Sequence, residues 1–234
     1  MFSGHNGNGG GVCVWYSDNG GESYVVSASG VFPGNEQSIA DLGNGTLYMN
    51  GRGTSFPFAG HRASYWSHDD GATWSAGQIA ANLTEPNTFG CDGAVVAVPN
   101  NKAGVVGPRP RSPPRLFFSE PAGPGSRVSL RVWCSTDGGL TWPRFVGINR
   151  GDVAGYSALE IAAGGDGRGA PHLLAVWEQR PTMLSWILSI DDWCPVPPDP
   201  AGDRCGLSCK TDADCPASSP CNHCENLILG QCVT

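Results

Sequence analysis

The 234 residues suffice for one ordinary domain and a small appendage. Glycine (34) and proline (19) make up almost a quarter of the chain without a collagen period, which favours short strands and many turns over long helices. A net charge of −7 argues against a nucleic-acid or anionic-membrane partner, and no apolar run of about 18 residues exists to span a bilayer.

In chain order, MFSGHNGNGGG lacks the basic and apolar regions of a signal peptide. VCVWY (12–16) reads as a strand and runs into SDNGGESY (17–24). In NEQSIADLGNGTLYMNGR (35–52), alternating apolar residues flank Asn44-Gly45, a strong hairpin signal. ASYW then precedes SHDDGATW (67–74), and SLRVW precedes STDGGLTW (135–142). FGCDGAVVAVP (89–99) and HLLAVWEQ (172–179) also suit hairpins. NKAGVVGPRPRSPPR (101–115) is Pro-rich with four basic residues and reads as an exposed insertion, with a polyproline ligand as the lesser reading. CPVPPDPAGDR (194–204) has the stiffness of a spacer. Asn44-Gly-Thr46 and Asn82-Leu-Thr84 are glycosylation sequons.

The pattern Ser-x-Asp-x-Gly-x-Thr-Trp thus occurs twice, and SDNGGESY is a degraded third copy. The copies start 50 and then 68 residues apart, the period of a supersecondary unit. The chemistry of the pattern is local. Ser67, Asp69, Ser135 and Asp137 can bond turn backbone, Gly71 and Gly139 permit positive φ, and Trp74 and Trp142 can fold back as apolar plugs. These eight residues are expected to be structural. Four-stranded sheets repeated about an axis explain a repeated turn better than a sandwich does.

The repeated turn resembles the Asp-box of sialidases, and between the boxes the chain resembles the exo-α-sialidase (neuraminidase) family over residues 1 to about 190. The matching pieces are NEQSIADLGNGTLYMNGR, RLFFSEPAGPGSRVSLRVW, GYSALE, and the smaller GCDGAV and VWEQ, in that family's order. The resemblance implies an all-β fold, a partial six-bladed β-propeller over 1–192, joined through a linker (193–204) to a cysteine-rich module (205–234). It also implies release of terminal sialic acids from glycoproteins, glycolipids and oligosaccharides, with sialylated glycans as partners and no cofactor. Tyr156 maps to the nucleophile, Glu36 to its base, and Arg52 and Arg127 to two of the family's three carboxylate-binding arginines. Nearby alternatives are Arg115 and Arg131 for Arg127, and Glu160 and Glu178 for Glu36; Glu178 also suits a supporting contact to an arginine.

Those residue types fit the chemistry. Sialic acid carries a carboxylate on its anomeric carbon, which guanidinium forks bind bidentately. The same carboxylate repels an Asp or Glu nucleophile, and sialidases with a tyrosine nucleophile depart from the two-carboxylate scheme for that reason. A phenol near pKa 10 needs an adjacent carboxylate to take its proton. The family's opening Arg-Ile-Pro motif and its acid/base Asp have no counterpart in these residues, so the expected catalytic set is incomplete. The alternative is a non-catalytic glycan- or protein-binding propeller fragment.

Six of the ten cysteines fall in the last 30 residues, where a chain too short to bury a core calls for disulfides. Disulfides imply an oxidising, secreted or lumenal location, extracellular or lysosomal. The spacing resembles plant metallocarboxypeptidase-inhibitor knottins. That resemblance implies Cys205–Cys221, Cys209–Cys224 and Cys215–Cys232, and a module that contacts another protein. A zinc site at Cys221-x2-Cys224 is the other reading; His5, His61 and His172 show no ligand spacing, and no metal is expected elsewhere. Cys13, Cys91, Cys134 and Cys194 allow three pairings, which stay open.

Overall fold

The computed structural model describes residues 2–5, 12–26, 35–43, 45–54, 56–98, 114–162, 171–195, 223–225 and 231–233. The chain divides into two compact units, Met1–Val196 and Pro197–Thr234. In the second, only the backbone of strands β15 (His223–Glu225) and β16 (Gln231–Val233) is described, an antiparallel pair. The knottin pairing, the zinc alternative and the insertion at 101–113 lie outside the described residues.

Apart from one short helix, the regular structure described in the first unit is antiparallel sheet. The first sheet comprises β1 (Phe2–His5), β2 (Val12–Tyr16) and β3 (Val25–Val26). The second runs β4 (Gln37–Gly43), β5 (Thr46–Arg52), β6 (His61–Ser67), β7 (Gln78–Thr84). The third orders β8 (Ala94–Val98), β9 (Arg115–Gly123), β10 (Ser126–Ser135) and β11 (Arg144–Gly147) from edge to edge. The fourth holds β12 (Ser157–Ala162), β13 (His172–Gln179) and β14 (Thr182–Ser189), followed by the short helix α1 (Ile190–Trp193). The first strands of successive sheets, β1, β4, β8 and β12, neighbour one another.

A separate apolar core fills each junction between sheets. Val14 meets Met49, Ala63 and Tyr65 between the first and second. Tyr48, Leu83, Leu116, Phe118 and Trp142 join the second to the third. Val98, Phe117, Val132, Leu159 and Leu173 join the third to the fourth. Alternating apolar residues in β13 give the period-2 burial of a strand covered on one face. Truncating Phe117 or Phe118, both fully buried, would cost roughly 3–5 kcal/mol.

The repeated turns close identically. Ser67 Oγ accepts from Gly71 N at 2.8 Å, Asp69 Oδ1 accepts from Thr73 N at 2.8 Å, and Thr73 Oγ1 donates to Asp69 Oδ2 at 2.6 Å. The matching distances around Ser135, Asp137 and Thr141 are 2.9, 3.0 and 2.6 Å. In the degraded copy, Asn19 Oδ1 accepts from Ser23 N at 3.0 Å and Ser17 Oγ accepts from Gly21 N at 2.8 Å. Hydrogen bonding to the ionised carboxylate holds Asp69 below the usual range. Gly139 is obligatory for two reasons: its φ is +90°, and a Cβ there would lie 2.5 Å from the Tyr48 ring. Trp142 is fully buried against Tyr48 and Phe118, whereas Trp74 is half-buried.

Two expectations need correction. FGCDGAVVAVP makes no hairpin: among the described residues β8 pairs only with β9, and residues 85–93 form an irregular loop in which Gly90 has φ +67° and Asn87 Oδ1 accepts from the N–H groups of Phe89 and Gly90. Arg115 is not part of an exposed stretch. It is buried at the start of β9, where Nη1 donates to Asp191 Oδ1 at 2.5 Å and to Cys194 O at 2.8 Å. Cys194 is also bonded to Cys134, which settles one of the open pairings; Cys13 and Cys91 are free thiols. A link spanning 60 residues stabilises by about 4 kcal/mol on loop-entropy grounds.

Glu120, on β9, is fully buried with neither oxygen in hydrogen-bond geometry. Burial pushes its carboxyl up to about 8, against the pull of Arg62. Between its ordinary 4.5 and about 8, the folded chain therefore holds a proton that the unfolded chain has lost. Stability from this group is complete below 4.5 and lost as pH rises through that window. Glu120→Gln should flatten this slope and raise Tm most above about pH 8. Calorimetry across the pH range tests it, and a Tm difference independent of pH would contradict it.

Candidate active site

The residues just upstream of the first strands of three successive sheets come together. Glu36 precedes β4, Asp92 lies two residues before β8, and Tyr156 immediately precedes β12. The β4–β5 hairpin sets the first pair. Gln37 faces Gly51, so Glu36 faces Arg52, and two further backbone bonds extend the ladder, Arg52 N to Glu36 O at 2.9 Å and Asn35 N to Arg52 O at 3.1 Å.

Both carboxylate oxygens of Glu36 are engaged. Arg52 Nη1 pairs with its Oε2, and Tyr156 Oη donates to its Oε1 at 2.8 Å. Arg127, at the start of β10, places its guanidinium 5.5 Å over the Tyr156 ring. Its backbone oxygen accepts from Ala154 N at 2.9 Å, which ties the 154–156 segment to the arginine. Arg52 Nε donates to Phe89 O at 2.7 Å, and Arg127 Nη2 donates to Gly90 O at 3.0 Å. All four predicted residues therefore share one site, with Tyr156 39 % exposed and thus open to a ligand.

Of the nearby alternatives, Arg115, Arg131 and Glu160 have partners of their own. Arg115 binds Asp191, and Arg131 stacks on Phe145 at 4.5 Å. Glu160 is exposed and accepts from Ile161 N. Glu178 lies beside the site: it exchanges backbone bonds with Gly155 and Tyr156, and a Cβ on Gly155 would sit 2.4 Å from its Oε2. Among the described residues it forms no ion pair with an arginine. The repeated turns occupy the opposite ends of the sheets. Arg52 faces Arg62 at one end of β6 while Ser67 ends the strand about 17 Å further on, and Arg127 and Ser135 stand about 25 Å apart along β10.

Charge orders the site. Glu36 raises the Tyr156 phenol above its usual value through its hydrogen bond, with burial and its charge adding and Arg52 pulling back. Burial opposes the charge on Arg52, but Glu36 and Tyr156 outweigh it and hold the guanidinium more firmly protonated than usual. Asp92, which the sequence marked only as part of a short match, is pushed up by burial and then by Glu36, with Arg62 and Arg52 opposing. The arrangement can bind an anion between two guanidinium groups, keep a phenol neutral at rest, and accept its proton on a carboxylate at 2.8 Å.

This makes a counterintuitive prediction. Glu36→Gln removes the charge that resists phenolate formation, so the Tyr156 pKa should fall even though its proton acceptor is gone. Near-UV phenolate absorbance, with Tyr156→Phe subtracted, is the measurement. An unchanged or raised Tyr156 pKa in Glu36→Gln would refute the electrostatic account.

Comparison with protein-family models finds no match, and comparison with curated protein sequences finds none either. Solved structures do match. NanB sialidase from Streptococcus pneumoniae superposes with TM-score 0.61 at 18% identity, over 79% of this chain and 28% of that one. The intramolecular trans-sialidase from Ruminococcus gnavus gives 0.60 at 18%, over 81% and 40%. The Hadza microbial sialidase gives 0.59 at 21%, over 78% and 33%. The chain shares a sialidase-like fold and spans between about a quarter and two-fifths of the length of these neighbours.

Proposed function

We propose that this chain carries the Tyr–Glu half of an exo-α-sialidase site and that its four sheets are successive blades of a six-bladed ring. The sheets follow one another through neighbouring first strands, and the fold is sialidase-like, which supports that reading. The observation that carries the function is the pair of bonds to Glu36: Arg52 on one oxygen and the Tyr156 hydroxyl on the other at 2.8 Å, with Arg127 over the phenol ring. A carboxylate hydrogen-bonded to a tyrosine between two arginines suits a substrate whose own carboxylate adjoins the reacting carbon.

In the proposed reaction, Arg52 and Arg127 hold the carboxylate of a terminal sialic acid. As the glycosidic bond breaks, Tyr156 Oη bonds to the anomeric carbon and its proton passes to Glu36. The leaving-group oxygen takes a proton from an acid, for which no residue of this chain is assigned. Water then attacks from the face the leaving group vacated, giving its proton to the same unassigned group while Glu36 returns a proton to the departing Tyr156 Oη, and the two inversions retain configuration. The substrates are the sialylated glycans of glycoproteins, glycolipids and oligosaccharides. The Cys134–Cys194 disulfide and the six C-terminal cysteines support a secreted or lumenal location.

General-acid help is typically worth about 10²–10⁴ in rate, so substrates with a good leaving group should suffer least from its absence. The chain should cleave an aryl sialoside slowly and sialyl-lactose not detectably, and Tyr156→Phe should abolish the aryl reaction. Both substrates assayed on both proteins decide it. Undiminished aryl hydrolysis by Tyr156→Phe would exclude this nucleophile, and binding of both sialosides without turnover would favour a glycan-binding module.

A further inference from the structure

Directly behind the site lies a buried ion pair that takes no part in the reaction. Arg62 faces Arg52 in the β5–β6 register, and its side chain and that of Glu85 are both wholly buried. Arg62 Nη1 donates to Glu85 Oε1 at 2.8 Å and to Cys91 O at 2.7 Å, and its Nε donates to Asn50 Oδ1 at 2.7 Å. Glu85 Oε2 accepts from Cys91 N at 2.9 Å. One ion pair therefore grips both the N–H and the C=O of Cys91.

The two residues before Cys91 turn their carbonyls to the site. Phe89 O receives Arg52 Nε, and Gly90 O receives Arg127 Nη2. Gly90 is itself shaped by the pair: at φ +67°, a Cβ would lie 2.7 Å from Glu85 Cδ. The segment Phe89–Cys91 is thus held from behind by Arg62 and Glu85 and holds both arginines in front.

Stability alone does not account for such a pair. Desolvation of two fully buried charges largely cancels their attraction, and Arg62 Nη2 lacks a hydrogen-bond partner, which adds to the cost. Fixed geometry is what the pair supplies. We propose that Arg62 and Glu85 are positioning residues, which hold Phe89–Cys91 so that its carbonyls aim Arg52 and Arg127 at the substrate carboxylate. The carboxylate as target rests on the sialidase reading; the aiming of the two guanidinium groups stands apart from it.

The test uses the whole chain and two variants. Arg62→Met/Glu85→Met removes both charges together and leaves no lone buried ion. Gly90→Ala displaces the segment while both charges remain. Thermal unfolding, solvent exchange of the Arg52 Nε–H by NMR, and the dissociation constant for free sialic acid are read for each. In a folded double variant, exchange of the Arg52 Nε–H should rise at least about tenfold and sialic acid should bind about tenfold more weakly, as expected for misaligned guanidinium contacts. Gly90→Ala should move both readouts in the same direction. Unchanged exchange in a folded double variant overturns the proposal, as does unchanged affinity when Arg52→Ala weakens binding. If neither Arg52→Ala nor Arg127→Ala alters affinity, the sialidase reading fails and exchange alone decides the aiming. If the double variant does not fold, Gly90→Ala decides, and wild-type exchange in it overturns the proposal.

Discussion

The Glu36 carboxylate is shared between Arg52 and Tyr156, and the rest of the site is arranged around that division. Arg52 occupies one oxygen, and the other accepts the hydroxyl of Tyr156. The hydrogen bond to Glu36, with burial and the same negative charge, resists ionisation of the phenol and holds Tyr156 neutral at rest. Any larger separation between β4 and β12 would break this balance. Tyr156 reaches Glu36 only because the first strands of three successive sheets start side by side.

That arrangement separates two tasks along the strands. At one end, short polar side chains and positive-φ glycines close tight turns, and Trp142 and Tyr48 seal them against the core. At the other end, charged groups gather about Tyr156: Glu36, Arg52 and Arg127. The apolar clusters between sheets keep the two ends apart and set the spacing between strands. Charge also reaches below the surface at the site end. Arg62, Glu85 and Glu120 are all fully enclosed or nearly so, and each is charged, or held neutral, at a cost that packing elsewhere must offset.

Local patterns were legible to the extent that the chemistry was local. The Ser-x-Asp-x-Gly-x-Thr turns follow from side chains bonding backbone within four residues, and the Asn44-Gly45 turn brings residues 36 and 52 opposite each other by counting alone. FGCDGAVVAVP misled for the same reason. Its glycines resemble a hairpin turn, but Gly90 serves a loop shaped by Glu85 and Asn87. Arg115 misled because its proline-rich neighbours signal exposure, while its partners, Asp191 and Cys194, lie more than 70 residues away.

The amino-acid sequence determined the strands, the repeated turns and the residue types on which the proposed site rests, because periodicity, turn chemistry and functional-group chemistry act over short stretches. It did not determine which of several arginines and glutamates would meet. Arg127 rather than Arg131 lies over Tyr156, Glu36 rather than Glu160 receives its hydroxyl, and Cys134 rather than Cys13 or Cys91 bonds Cys194. Tertiary structure made those choices. Sheet register and the juxtaposition of the sheets' first strands decide which side chains meet, and pairings as far as 120 residues apart leave no trace in local pattern.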